Sequence, residues 1–289
     1  MLPPREVPVQ RMTVRRKLAI ATWSAPQEGN IYGKLTVDVT QALAYLRWKR
    51  ETTGEKVTLT HLVGLAAGRA LSQAPGLNGR LLFGRYIPHE TVDVSFLVVL
   101  EGGENLAKAK VEQIHQKSVA EIARELRTLA ERLRAGKDEA FKKSQGPLAI
   151  LPTWIIRPLV WLTGWLTGAL GVNMAALGLE RYPFGACVIT NVGVFGLDEG
   201  WAPPTPFARA PVFLLMGAVR PQPTVIGGQI VARKLMSLCA TIDHRFMDGA
   251  QGAVLARVVR SIFTNPWQLD NLEGPPPGWV DPGDDDSAA

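Results

Sequence analysis

One loop near the C-terminus combines residue types that could carry acid–base chemistry. His244 is followed four positions later by Asp248 and then directly by Gly249, between a strand-like run at 234–240 and a helix-like run at 252–263. Loops that follow strands often display catalytic side chains. An imidazole is well suited to take a proton near neutral pH, a carboxylate can hold the loop by pairing with a cation, and a glycine permits backbone angles closed to other residues.

The elements that position this loop follow from hydrophobic periodicity. Apolar alternation predicts strands, and a spacing of three to four residues predicts helices, with a hairpin turn at Gly227-Gly228. The strands are expected at 32–40, 92–100, 211–219 and 234–240, and the helices at 13–21, 41–49, 58–74, 118–137 and 252–263. Such alternation is consistent with an α/β fold in which helices flank a sheet.

Composition narrows the classes of function. The chain has 289 residues, of which 46% are hydrophobic and 20% charged, as in a packed globular protein. Its two cysteines, Cys187 and Cys239, lie in apolar runs and are expected to be buried thiols, with no metal site. The net charge of +6 is spread along the chain without the basic–aromatic pattern of a nucleic-acid binder. No signal peptide is recognised at the N-terminus, so a cytoplasmic location is expected.

Several motifs, in one order, resemble a known family. Asp243-His244-Arg245-Phe246-Met247-Asp248-Gly249 resembles the active-site signature of the acyltransferase component of 2-oxo-acid dehydrogenase complexes. Chloramphenicol acetyltransferase has a related signature and a similar fold. The other motifs that match this family are Thr36-Val37-Asp38-Val39, an alanine-rich helix before Pro75-Gly76-Leu77-Asn78, Val92-Asp93-Val94-Ser95, and Thr190-Asn191-Val192-Gly193.

The resemblance implies an architecture. It is an α/β sandwich of the chloramphenicol-acetyltransferase type, a mixed sheet flanked by helices, assembled as a homotrimer with the active site between subunits. Residues 1–12 are expected to form an arm, 13–272 the catalytic domain with an apolar helical insertion at about 145–183, and 273–289 a disordered proline-rich and acidic tail. The chain starts almost directly at the catalytic domain, so a lipoylated carrier is expected on a separate polypeptide.

The resemblance also implies roles for individual residues. His244 would be the general base, and Thr190, in the place of the family's serine, would donate a hydrogen bond to the oxyanion. Arg16 would pair with Asp248 to fix the loop. Supporting roles fall to Asp243, Arg245, Asn191 and Gly249. Coenzyme A would be a substrate, no metal would be needed, and the residues that bind coenzyme A are not predicted.

Two departures from the family pattern stand out. At 101–111 the family's apolar Gly-Leu-Ile-x-Pro-Val segment is replaced by a polar sequence, which changes the expected cofactor channel. The apolar stretch 147–179 stands where the family has a short connection. It could pack on its own trimer or the next one, lie in a membrane interface, or cover a remodelled channel. We expect two short helices, broken near Gly164–Gly171, that pack on protein, because Arg157 and two prolines interrupt the stretch.

Two functions remain open at this point. The first is transfer of an acyl group between a dihydrolipoyl-like thiol and coenzyme A. The second is a catalytically reduced scaffold or shell built from acyltransferase-like trimers, with the stretch 147–179 joining them into a larger cage. The retained His244, Asp248 and Gly249 favour the enzyme, because a scaffold has no need of them.

Overall fold

A computed structural model of the chain describes residues 29–99, 106–135 and 151–283. Several predicted features therefore lie outside the described residues, at least in part. They include the arm 1–12, the helix 13–21 with Arg16, the polar segment that begins at 101, the end of the helix 118–137, the start of the insertion and the end of the tail.

A seven-stranded mixed sheet forms the centre of the protein. Its order is β1-β9-β7-β6-β4-β5, with β8 paired to the first half of β9. The strands β4, β6 and β7 are parallel to one another, and the remaining pairs are antiparallel. The strands are β1 Asn30–Asp38, β4 Val94–Val99, β5 Leu106–Val111, β6 Cys187–Asn191, β7 Val212–Met216, β8 Arg220–Ile226 and β9 Gln229–Asp243; a separate hairpin pairs β2 Gly79–Leu82 with β3 Arg85–Pro88.

Helices cover the sheet, as the periodicity predicted. They are α1 Thr40–Thr53, α2 Leu59–Gln73, α3 Val119–Arg134, α4 Thr153–Gly164 and α5 Gly249–Thr264. Ser118 begins α3 with a capping box, since its hydroxyl accepts from the Glu121 amide and the Glu121 carboxylate accepts from the Ser118 amide. The mixed sheet flanked by helices confirms the predicted fold class.

Helix α2 lies in the main core and is buried along most of its length. Two glycines on this helix allow close packing. A Cβ at Gly64 would lie 2.3 Å from the Phe96 ring, and one at Gly68 would lie 2.4 Å from the Ile114 side chain. Within this helix His61 takes part in the N-terminal cap: its Nδ1 accepts from the Thr58 amide at 3.0 Å.

From residue 151, where its described part begins, the insertion has one α-helix, whereas two short helices were predicted. Helix α4 continues without a break at Gly164 into a π-turn, Trp165–Ala169, and the chain turns only at Gly171, whose φ is +71°. Gly164 packs directly against Phe207. A Cβ at position 164 would lie 2.7 Å from the backbone oxygen of Phe207, so the close contact depends on glycine. A short 3-10 turn, Ala175–Leu177, follows.

One face of α4 packs on protein. Ile156 and Val160 are buried against Leu151 and Phe207, while Arg157 faces solvent. The opposite face exposes Trp154 (76%) and Leu162 (54%). Among the described residues, no helix has the length and apolar character needed to cross a bilayer.

The C-terminal segment differs from the predicted disordered tail as far as Gly283. Asp281 accepts two hydrogen bonds from the Arg47 guanidinium, both 2.6 Å long. The Trp279 ring lies 5.7 Å from the Trp267 ring and donates to Glu51. The prediction of disorder was therefore wrong for residues 273–283. A proline-rich and acidic composition does not reveal that one tryptophan, Trp279, has an aromatic partner in the fold, Trp267.

Candidate active site

His244 begins the turn that follows β9. Its backbone amide donates to the carbonyl of Gly29 at 3.0 Å, and its Nδ1 lies 2.7 Å from the carbonyl oxygen of Met247. A carbonyl only accepts, so the Nδ1 atom carries the proton and a neutral His244 keeps a lone pair on Nε2. The side chain is exposed. The loop therefore holds the imidazole in the tautomer that a general base requires, with the basic nitrogen free of this internal bond.

Asp243 and Arg245, the residues directly before and after His244, form an ion pair. The Arg245 guanidinium donates to both carboxylate oxygens of Asp243, with the shortest contact at 2.6 Å, and the Arg245 amide also donates to Asp243. The Asp243 amide donates to Pro211 and so joins the turn to the start of β7. These bonds fix the shape of the turn around His244.

Asp248 is the N-cap of α5. Its carboxylate accepts from the amides of Ala250 and Gln251, and the Gln251 side chain accepts from the Asp248 amide at 2.7 Å. The sequence analysis missed this cap, although Asp followed three residues later by Gln signals it. The predicted partner Arg16 lies outside the described residues. Gly249 has ordinary backbone angles as the first residue of α5, so its predicted use of special angles is not seen.

A cleft lies behind the His244 turn, and we call it the loop cleft. Asp243, Arg245 and Phe246 line one side, and Trp161 of α4 lines another. The insertion therefore reaches the turn that carries His244.

Thr190 lies at the end of β6, partly buried. The next residue, Asn191, donates from its side-chain amide to the Thr60 hydroxyl at 3.1 Å and is thereby fixed against α2. Gly193 follows where the chain passes close to β7, since a Cβ there would lie 2.6 Å from the Gly217 oxygen. A second cleft, mostly apolar, lies beside these residues and is lined by Asn191, Gly193 and Met216 among others.

Within one chain Thr190 and His244 lie far apart. Strand register places Thr190 level with Leu215 in β7, and Leu215 level with Cys239 in β9. His244 comes five residues after Cys239, which at the usual rise of a strand is about 16 Å further along. The structure thus gives two half-sites at opposite ends of the sheet.

Two other histidines, His61 and His89, are partly buried and belong to neither half-site. Burial, with a smaller effect of Arg50, lowers the pKa of His61 to about 4. Burial, followed by the charge of Arg80, lowers the pKa of His89 to about 4. Both rings are neutral at pH 7 and serve packing or capping. In the described part of the chain no group of three His, Cys, Asp or Glu side chains could hold a metal ion.

Comparison of the chain with known protein families shows which family carries these two half-sites. The model of the 2-oxoacid dehydrogenases acyltransferase (catalytic domain) family matches residues 5–148 and 175–270. The chain belongs to this family. The match leaves out 149–174, so α4 and the π-turn are an addition to the acyltransferase domain that the family shares.

Individual relatives of this acyltransferase-family chain are distant. It is 25% identical, over 75% of its length, to a probable dihydrolipoyllysine-residue succinyltransferase component of the 2-oxoglutarate dehydrogenase complex of Schizosaccharomyces pombe, and covers 39% of it. It is 26% identical, over 76% of its length, to the dihydrolipoyllysine-residue acetyltransferase component of the acetoin cleaving system of Bacillus subtilis, and covers 44% of it. The chain thus spans about two fifths of the length of these curated relatives.

Solved structures agree on the fold. A probable dihydrolipoamide acetyltransferase from Listeria monocytogenes superposes with a TM-score of 0.62 at 19% identity, covering 87% of this chain and 89% of that one. The cubic core of a pyruvate dehydrogenase multienzyme complex gives a TM-score of 0.61 at 18% identity, covering 88% and 87%. The chain therefore shares the overall fold of these acyltransferase structures.

Proposed function

We propose that this protein is an acyltransferase that moves an acyl group between a dihydrolipoyl-like thiol and coenzyme A. The observation that carries the proposal is the bond from His244 Nδ1 to the Met247 carbonyl, which leaves Nε2 as the proton acceptor on an exposed side chain. Membership in the acyltransferase family supports the same reaction. The relatives named above are components that act on a dihydrolipoyllysine residue.

The reaction needs a base because a thiol with a pKa near ~8.5 is mostly protonated at neutral pH. His244 Nε2 takes the proton from the coenzyme A thiol, and the thiolate attacks the thioester carbonyl of the acyl donor. A new carbon–sulfur bond forms and the carbonyl oxygen becomes an oxyanion. When the intermediate collapses, the bond to the donor sulfur breaks and the imidazolium returns the proton to that sulfur.

Thr190 completes the site from a neighbouring subunit. Its hydroxyl can donate to the oxyanion, a contribution on the order of 10²–10³ in rate. The separation of the half-sites along the sheet prevents Thr190 and His244 of one chain from meeting around one thioester. A closed ring of identical subunits brings one half-site to the other in every interface, and we propose a homotrimer for this reason.

A second function draws on one observation, the exposed apolar face of α4. Trp154 and Leu162 on this face could join trimers into a larger cage, and this role is compatible with catalysis. Deletion of 151–170 with a short Gly-Ser joint would reduce a cage to trimers. A trimeric full-length protein would rule the cage out.

Turnover of acetyl-CoA with dihydrolipoamide tests the proposed reaction. His244→Ala should lower kcat by about 10²–10⁴-fold, the usual contribution of a positioned base. His115→Ala is the matched control, since His115 lies in a short 3-10 turn and lines neither cleft, so this variant should leave the rate unchanged. If the wild type transfers no acyl group to dihydrolipoamide or another thiol, the proposed function is wrong.

A further inference from the structure

Tyr86 reaches the His244 turn from the separate two-stranded hairpin. It lies on β3, paired with Leu81 of β2, and is 39% exposed. Its ring meets the ring of Phe246 edge to face, with 6.2 Å between the two centroids. Phe246 follows His244 by two positions and is buried. The hairpin therefore packs against the turn that carries the candidate base.

The hydroxyl of Tyr86 ties a second segment to the same place. It donates to the carbonyl of the first residue of the 3-10 turn Pro75–Leu77. Burial raises the pKa of Tyr86, so the hydroxyl remains a donor at neutral pH. A Cβ on Gly76 would lie 3.5 Å from the carbonyl oxygen of Phe246 and 3.1 Å from the side chain of Gln251. Tyr86 thus supports Phe246 directly and, through this 3-10 turn, the cap of α5.

The hairpin holds Tyr86 in place. A Cβ on Gly79, the first residue of β2, would lie 2.5 Å from the Tyr86 ring, so the ring packs directly on this glycine. Asn78, one position earlier, donates from its side chain to the carbonyls of His89 and Thr91, at 3.4 and 3.1 Å. These bonds join the two ends of the hairpin, which gives the ring a fixed base.

One residue separates Phe246 from the group that sets the state of the base. Met247 follows Phe246, and its carbonyl oxygen is the partner of His244 Nδ1 at 2.7 Å. This bond selects the tautomer that has its lone pair on Nε2. A shift of the backbone at Phe246 therefore moves the carbonyl that selects the tautomer.

We infer that Tyr86 is a positioning residue for His244. Through Phe246 it holds the Met247 carbonyl in place, and this carbonyl keeps the imidazole proton on Nδ1. The effect on the rate rests on the proposed function, whereas the effect on the tautomer does not. Tyr86 acts through other residues, so its loss should change kcat and leave the KM values unchanged.

Turnover of acetyl-CoA with dihydrolipoamide measures the effect on the rate. Tyr86→Ala should lower kcat by about 10–10²-fold, as a misplaced catalytic group does, and leave both KM values within about twofold. Tyr86→Phe keeps the ring and should retain most of the wild-type kcat. Arg85→Ala is the matched control, because Arg85 is exposed and its side chain points to the other face of β3. This variant should behave as the wild type does.

Phe246→Leu tests the same route from its other end. It removes the aromatic partner of Tyr86 but keeps apolar bulk in the core. Its kcat should fall as far as that of Tyr86→Ala, and the double variant should fall no further. Should Tyr86→Ala fail to fold, Tyr86→Leu takes its place. Additive losses, a normal kcat in the Tyr86 variant, or a raised KM at unchanged kcat would overturn the inference.

NMR of the protein with isotope-labelled histidine separates failure of this role from failure of the proposed function. The chain has four histidines, and the His244 signals are those missing from His244→Ala. The wild type and Arg85→Ala should show His244 with its proton on Nδ1, and Tyr86→Ala should show a mixture of both tautomers. That change without acyl transfer by the wild type would keep the positioning role and reject the function. Acyl transfer with one tautomer in every variant would keep the function and reject the positioning role.

Discussion

Thr190 and His244 lie at opposite ends of the central sheet, about 16 Å apart along the strand direction alone. Thr190 is the second-last residue of β6, which is parallel to β7, and His244 directly follows β9. Because β9 is antiparallel to β7, the two residues lie towards opposite ends of the sheet. Within one folded chain, the hydroxyl of Thr190 and the imidazole of His244 therefore cannot both reach the same thioester. The proposed chemistry makes assembly a requirement for activity.

Two substitutions at Asp248 separate its role as the N-cap of α5 from the role of its negative charge. Asp248→Ala removes the acceptor for the amides of Ala250 and Gln251 and should lower the free energy of unfolding by about 1 kcal/mol. Asp248→Asn keeps the cap and should leave stability nearly unchanged. Urea unfolding checks both variants. If Asp248→Ala is as stable as the wild type, the cap does not stabilise α5.

The activity of the Asp248→Asn variant tests the predicted partner Arg16. If a cation holds the loop through the carboxylate charge, kcat should fall in Asp248→Asn although its stability is kept. Arg16→Gln should then lower kcat to the same extent, and the double variant should lose no more than either single one. Additive losses would contradict a pairing of the two residues.

Stability should fall in mild acid because of His61 and His89. Their pKa values lie near 4 in the folded protein and near the ordinary 6.5 in the unfolded chain. Between pH 4 and pH 6.5 the unfolded chain binds more protons than the folded protein does. The free energy of unfolding is therefore highest above about pH 6.5 and decreases as the pH falls towards 4. Unfolding curves at several pH values measure the slope.

His61→Gln isolates one of these two contributions. Glutamine at the third helical position keeps an acceptor for the Thr58 amide and does not titrate, so the variant should keep its cap and lose about half of the slope. His61→Ala loses the cap as well and should be less stable at every pH. An unchanged slope in His61→Gln would show that His61 does not titrate as described.

The two cysteines should be unreactive in the native protein. Cys187 and Cys239 are fully buried, and burial raises the pKa of the Cys187 thiol to about 12. A thiol reagent should modify neither residue in buffer and both in denaturant. Rapid labelling of one native thiol would contradict the packing of β6 or β9.

The C-terminal segment should contribute to stability. Removing residues 274–289 deprives the Arg47 guanidinium of its partner Asp281, although the Arg47 side chain is only 9% exposed. The same deletion removes Trp279, which packs against the main core. We expect a loss of roughly 2 kcal/mol in the free energy of unfolding. Removal of 284–289 alone is the control, because both contacts remain, and should have little effect. Equal stability of the two truncations would contradict this role.

The sequence predicted the strands and helices that have strong periodicity, including β1, α2, α3, β7 and α5, because burial of one face imposes the pattern. It missed β5, whose alternating lysines and alanines resemble a solvated segment. It placed a break near Gly164–Gly171; the helical backbone continues past Gly164, and the chain turns at Gly171, inside that range.

The candidate site was predictable to a different degree at each residue. His244, Asp243 and Arg245 share one short motif, so the sequence locates the loop that the structure shows. The tautomer of His244 depends on the carbonyl of Met247, and the loop cleft depends on Trp161, more than eighty positions earlier. Such contacts arise from tertiary packing and leave no periodic signal.

The most direct test of the account is complementation between two inactive variants. His244→Ala and Thr190→Ala, co-expressed with different tags and purified through both, form mixed assemblies. In some interfaces an intact His244 then meets an intact Thr190 from the other variant. The account predicts that these mixed trimers regain about a third of the wild-type acyl transfer, because one of their three interfaces has both groups intact. Mixed assemblies that stay as inactive as the separate variants would contradict a site shared between subunits.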